Sequence, residues 1–145
     1  MQKSLILFDL ENQSAEIQKI KDWDLKWQFE FRGYTIKSGA MPLNTDVHHQ
    51  FIILVGESTK YLSKQFYEDL DAIILTTKPI LCLNLNGYVG LEEKICPIVL
   101  HDSGAIHMAF SNEDLAMSLD YIKPDAKIVN PNGSYHFKKD PRSFY

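Results

Sequence analysis

The chain has 145 residues, 45% of them hydrophobic and 23% charged, which fits one globular domain large enough to bury a core unaided. Its net charge of -4 argues against a general affinity for nucleic acid or anionic membrane, and no apolar run reaches the roughly 18 residues of a membrane span. Cys82 and Cys96 lack CxxC spacing and read as buried reduced thiols, not as a disulfide scaffold or a zinc site. In chain order, "MQKSLILFDLEN" meets Asp9 and Glu11 too early for a signal peptide, so the expectation is a cytoplasmic protein. Its apolar core, residues 4–10, reads as a buried parallel strand. "NQSAEIQKIKDWD" predicts a helix capped by Ser14, with Ile17 and Ile20 on one face. "KWQFEFRGY" alternates Trp27, Phe29 and Phe31 with Gln28, Glu30 and Arg32, the pattern of a strand with one wet face.

Residues 35–49 carry Gly39 and Pro42 and read as loop with one helical turn. "QFIILVG" (50–56) is the most hydrophobic stretch and predicts a central strand. The next helix, capped by Ser58 or Thr59 and running to Thr77, has Leu62, Phe66, Leu70, Ile73 and Ile74 as its apolar stripe. "KPILCLNLNG" predicts a further strand, with Pro79 at its start, and "CPIVLHD" and "AIHMAF" are two short strand candidates. "SNEDLAMSLDYI" predicts a helix capped by Ser111, and residues 123–145, rich in Pro, Asn and Gly, read as a surface tail.

Alternation of this kind predicts an α/β fold: a flavodoxin-like three-layer sandwich with a mainly parallel sheet, residues 4–10, 50–56 and 79–85 being its central strands. Ligands of such sheets sit beyond the carboxyl ends of the strands, at the switch point of the topology. Here those ends carry Phe8-Asp9, Arg32-Gly33, Gly56-Glu57-Ser58 and Asn84-Asn86-Gly87, a polar, glycine-bearing rim suited to a nucleotide. Gly56 is expected to allow close backbone approach, and the Glu57-Ser58-Thr59 turn to offer amide donors at a helix N-terminus. His48-His49, His101-Asp102 and His107 lack ligand spacing, so no metal site is expected. Walker, GxGxxG and GxSxG motifs are absent from the sequence.

Two blocks resemble the TIR-like domain family of bacterial and archaeal defence proteins. "IKDWDLKWQFEFRGYT" is similar to that family's first helix and second strand. "ILVGESTKYLSKQFYEDLDAIILTTKPILCLNLNG" is similar to its block of V-G, a polar turn, S-K-W-V-x-x-E-I on a helix, then G-K-P-I and a strand ending in N. The resemblance spans residues 3–122, with 1–122 as the TIR-like domain. It implies a protein of anti-phage defence that binds NAD and cleaves it with a helix glutamate, releasing nicotinamide and leaving a linear or cyclic ADP-ribose product. NAD would be substrate, and no further cofactor is implied. Counting from Gly56 places the glutamate at Glu68, whereas aligning "SKQFYEDL" places it at Asp69. The expected site is one of these two facing a cleft of Phe8, Asp9, Gly56 and Ser58, with Glu57 and Asn86 nearby, while the other is solvated. Phe8 would stack on nicotinamide, and the pocket carboxylate, beside Asp9, would have a raised pKa. The resemblance also implies self-association or pairing with another TIR-like or effector protein. The alternative is a TIR-like module that binds a nucleotide or a protein without catalysis.

Overall fold

The computed structural model describes residues 3–37 and 41–121, together with the backbone of Tyr135–His136. Its sheet contains β1 (Lys3–Asp9), β2 (Gln28–Tyr34), β3 (Gln50–Val55), β4 (Ile80–Asn84), β5 (Ile106–Ala109) and β6 (Tyr135–His136). The strand order is β2-β1-β3-β4-β5-β6, and every pairing is parallel. This is the flavodoxin-like three-layer α/β arrangement, with β1, β3 and β4 at its centre as their unbroken apolar runs require. The expected tail, residues 123–145, lies outside the described residues apart from β6.

Sequence parity decides which layer each residue joins. Leu5, Leu7, Phe51, Ile53, Val55, Ile80 and Cys82 face α2 (Lys64–Leu75), which contributes Phe66, Leu70 and Ile73. Ile6, Phe8, Ile52, Leu54, Leu81 and Leu83 face α1 (Ser14–Asp22) and α3 (Asn112–Tyr121), which contribute Ile17, Ile20, Leu115 and Leu119. α1 follows β1 on one face and α2 follows β3 on the other, so the carboxyl ends of β1 and β3 diverge and leave a crevice.

Local structure departs from the sequence expectation at several points. α2 starts at Lys64, with Ser63 as its N-cap accepting from the Phe66 amide; Thr59–Tyr61 form a separate 3-10 turn. Extended Leu62 separates the two and inserts its side chain into the core, which consumes the stretch expected as the first helical turn. The N-cap of α1 is Gln13, not Ser14, and its side chain makes no cap bond, being used elsewhere. Ile98–Leu100 within "CPIVLHD" form a 3-10 turn where a strand was expected. Ser111 does cap α3, accepting from the Asp114 amide, and Thr45–Val47 form the single turn expected in the 35–49 loop.

Candidate functional site

Where β1, β3 and β4 end, a cleft of about 390 Å³ opens, lined by Asn12, Gln13, Gly56, Glu57, Ser58, Leu85, Asn86 and Ile95. Each wall is the turn leaving one strand, the location that the topology prescribes for a ligand. Gly56, Glu57, Ser58 and Asn86 all contribute to it as expected. Asp9 stands behind Ser58, whose hydroxyl donates to its Oδ2 at 2.5 Å. The Asn12 side-chain amide donates to the same oxygen at 2.8 Å, and the Glu11 backbone amide donates to Oδ1 at 3.1 Å. Burial alone would raise the pKa of Asp9, but these donors outweigh it and hold the carboxyl below the usual carboxylate range. Asp9 is therefore an ionised brace for the rim.

Thr59 fastens the two principal turns together. Its hydroxyl accepts from the Gly56 amide at 2.9 Å and from Gln13 Nε2 at 3.3 Å, and donates to the Leu54 carbonyl at 3.1 Å. Gln13 Oε1 in turn accepts from the Asp9 amide at 2.8 Å. Gly56 leaves room for this clasp: a Cβ there would lie 3.0 Å from Gln13 Nε2 and 3.2 Å from Leu85 Cδ1. The close approach expected at this glycine is made by the protein itself. The expected helix N-terminus at Glu57-Ser58-Thr59 is also corrected, because α2 begins only at Lys64.

Phe8 occupies a different place from the one expected. It packs among Ile6, Ile17 and Ile20 on the α1 side of the sheet and is absent from the lining of the cleft. Parity explains this, since Asp9 and Phe8 are consecutive and a strand turns them to opposite faces.

Glu68 and Asp69 separate completely. The Glu68 side chain is 55% exposed and lies 3.8 Å from Lys64 one turn back, an ordinary surface pair. Asp69 is 3% exposed, on the same side of α2 as Phe66 and Leu70. Its Oδ2 accepts from Arg32 Nε at 2.9 Å and from the Tyr34 hydroxyl at 2.5 Å; its Oδ1 accepts from Gln65 Nε2 at 2.7 Å. Arg32 Nε also donates to the Tyr34 hydroxyl at 2.8 Å, and the guanidinium reaches the Met41 carbonyl. Burial opposes the Arg32 charge, but Tyr34 and Asp69 outweigh it and hold the guanidinium above its usual range. Burial and then Asp69 push the Tyr34 phenol far above its usual value, so it remains a donor.

Asp69 thus belongs to the β2 flank of the domain and does not line the rim cleft. The two places are nevertheless adjacent: Tyr34 is the register partner of Asp9, on the same face of neighbouring strands. The like-charge neighbour expected for the pocket carboxylate is replaced by a cation and a phenol. Sequence reading placed Arg32 at a strand end and Thr59 in the rim turn without giving either its partners, and it missed Tyr34, Gln65 and Gln13 as members of these networks. A signal for Tyr34 was present, because the Gln28-Glu30-Arg32 alternation continues to it. α2 meets that face at its Arg32–Tyr34 end, where Tyr34 is fully buried, while Glu30 stays half exposed.

No cluster of three or more potential metal ligands occurs among the described residues, and no helix among them is long and apolar enough to cross a membrane. No protein-family model matches this chain, and no curated protein matches it.

Proposed function

We propose that this chain is a TIR-like protein of bacterial anti-phage defence that binds NAD or a related nucleotide beside the strand ends and releases nicotinamide from it. The observation supporting this reading is the divergence of the two candidate carboxylates. Asp69, which stands at the family's glutamate when "SKQFYEDL" is aligned, is turned against the sheet beside Arg32 and Tyr34, while Glu68 lies on the surface. Loss of nicotinamide leaves an oxocarbenium-like ribose, and a fixed carboxylate in a shielded place stabilises such a charge. In this reading Asp69 supplies that carboxylate, Arg32 and Tyr34 position it, and the rim cleft holds the remainder of the nucleotide. Self-association or a TIR-like partner, in a cytoplasmic setting, completes the proposal.

A second reading, binding of a nucleotide or partner without turnover, is favoured by a specific observation. Both oxygens of Asp69 already accept hydrogen bonds from three side chains, and the residue does not line the cleft. Incubation of the purified protein with NAD, with nicotinamide release followed by chromatography, separates the readings. Turnover lost in Asp69→Asn and retained in Glu68→Gln supports catalysis. Saturable nucleotide binding without nicotinamide release supports the module, and turnover that survives Asp69→Asn overturns the assignment of Asp69.

A further inference from the structure

The rim cleft has a charge pattern that its place in the fold does not dictate. None of the described residues lining it is Lys, Arg or His, and its one ionisable side chain is Glu57. Glu57 is exposed and has no hydrogen bond or ion pair with another described residue, so its carboxylate is free to accept from a ligand. Asp9, behind Ser58 and held ionised by its donors, adds a second negative charge. The devices that usually hold a phosphate are spent or turned away. Lys60, three positions after Glu57, lines a separate opening with Tyr61 and Tyr67, and its ammonium donates to the Lys94 carbonyl. The Gly56 amide is taken by the Thr59 hydroxyl, and the Glu11 amide by Asp9. α1 does begin beside the cleft, and such a terminus carries about half a positive charge, but Asp9 and the first-turn Glu16 offset it. A phosphate entering here would give up water and meet like charge, with no cation among the described lining residues to compensate.

We propose that the rim cleft is selective for an uncharged ribonucleoside unit, with the ribose hydroxyls on Glu57, the base against Leu85 and Ile95, and any 5′-phosphate left outside. A vicinal diol presents two donors to a single carboxylate, which accepts both through charge-assisted hydrogen bonds. The Ser58 hydroxyl has its proton committed to Asp9, so toward a ligand it is an acceptor. Asn86, whose Oδ1 accepts from the Tyr88 amide, keeps its side-chain NH2 for an acceptor on the base. Leu85 packs on one core cluster and Ile95 on the other, so the apolar surface offered to the base is backed from both layers. An opening of about 390 Å³ lies near the lower end of the roughly 300–1,000 Å³ of small-molecule sites, and suits one nucleoside better than a dinucleotide. Resting on the reading of this cleft as part of a nucleotide site, the selectivity narrows the part held there to the nucleoside end, with the diphosphate of NAD in solvent.

Titration of the full-length protein with adenosine and with AMP at low salt, followed by backbone amide NMR shifts, tests the selectivity. Adenosine should bind about fivefold more tightly than AMP, the scale of a charge contact across a partly wet cleft, and should shift the Glu57, Ser58 and Asn86 amides. High salt should bring the two affinities together. Glu57→Gln, a change at an exposed position, should narrow the difference as well. Against wild type, 2′,3′-dideoxyadenosine should bind about tenfold more weakly than adenosine, as loss of hydrogen bonds to a charged acceptor requires. AMP binding as tightly as adenosine, or more tightly, overturns the proposal, as do shifts confined to other surfaces or the lack of saturable adenosine binding. Nicotinamide release from NAD, measured in parallel, keeps the two claims apart. Turnover with a preference for AMP discards the selectivity and leaves the enzymatic reading standing; adenosine selectivity without turnover does the reverse.

Discussion

Asp9 and Asp69 are both buried aspartates on the α2 face of the sheet, one at the rim and one on the β2 flank, and their partners differ in kind. Asp9 is satisfied by a hydroxyl, a side-chain amide and a backbone amide, all from the turns that it organises. Asp69 is satisfied by a guanidinium, a phenol and a glutamine, drawn from a strand and a helix that meet only in the folded state. Neutral donors let a carboxylate shape a loop without another charge. A cationic partner couples two layers of the fold, and removing either member leaves a charge with little water. Structural dependence on the carboxylate should therefore be greater at Asp69, although only Asp9 braces the open cleft.

The largest effect should come from Asp69→Ala, which strands the Arg32 guanidinium and the Tyr34 hydroxyl. A loss of about 3 kcal/mol is expected, as for breaking a largely buried pair, read as a fall in the urea midpoint without a change in slope. A loss smaller than that of Asp9→Ala would reverse the ranking. Asp9→Ala should cost about 2 kcal/mol, the scale for leaving buried donors unmatched, and should open the rim turns to faster amide exchange at Glu11 and Ser58.

The two sites can also be sharpened by pH. The Asp9 carboxyl is held below its ordinary value of 3.8, so its stabilising contribution is present above that value and is lost as pH falls through the lower, folded-state pKa. The stability difference between wild type and Asp9→Asn should be constant near neutrality and shrink in acid; a difference that grows in acid contradicts the hydrogen-bond scheme. The smallest effect belongs to Glu68→Gln, which should change stability by no more than about 0.5 kcal/mol, since an exposed i,i+4 pair with Lys64 is its only ion pair among the described residues.

Much of the fold was legible because parallel strands buried on both faces leave continuous apolar runs. "SLILFDL", "QFIILVG" and "KPILCLNLNG" lead directly to β1, β3 and β4. The rim was legible for the same reason, since strand ends are where polar residues interrupt those runs. The α2 start was misplaced because Ser58, Thr59 and Ser63 are all capping types, and only the burial of Leu62 selects the last of them. The choice between Glu68 and Asp69 was illegible locally. Helix periodicity puts Asp69 at the edge of the apolar stripe, but its acceptance there depends on Arg32 and Tyr34, more than thirty positions away. Long-range charge matching leaves no periodic trace.

The clasp made by Gln13, Gly56 and Thr59 has a thermodynamic consequence for whatever enters the rim. It spans 46 positions of sequence and fixes the turn after β1 to the turn after β3 before any ligand arrives. The ordering cost of those turns is met during folding, so little conformational entropy remains to be lost on association. Binding at this cleft should therefore show fast, single-step kinetics with little change in backbone protection. Thr59→Ala, which leaves the Ser58–Asp9 hydrogen bond to join these turns without the clasp, should weaken binding chiefly by making its entropy less favourable while the direct contacts to the ligand remain intact.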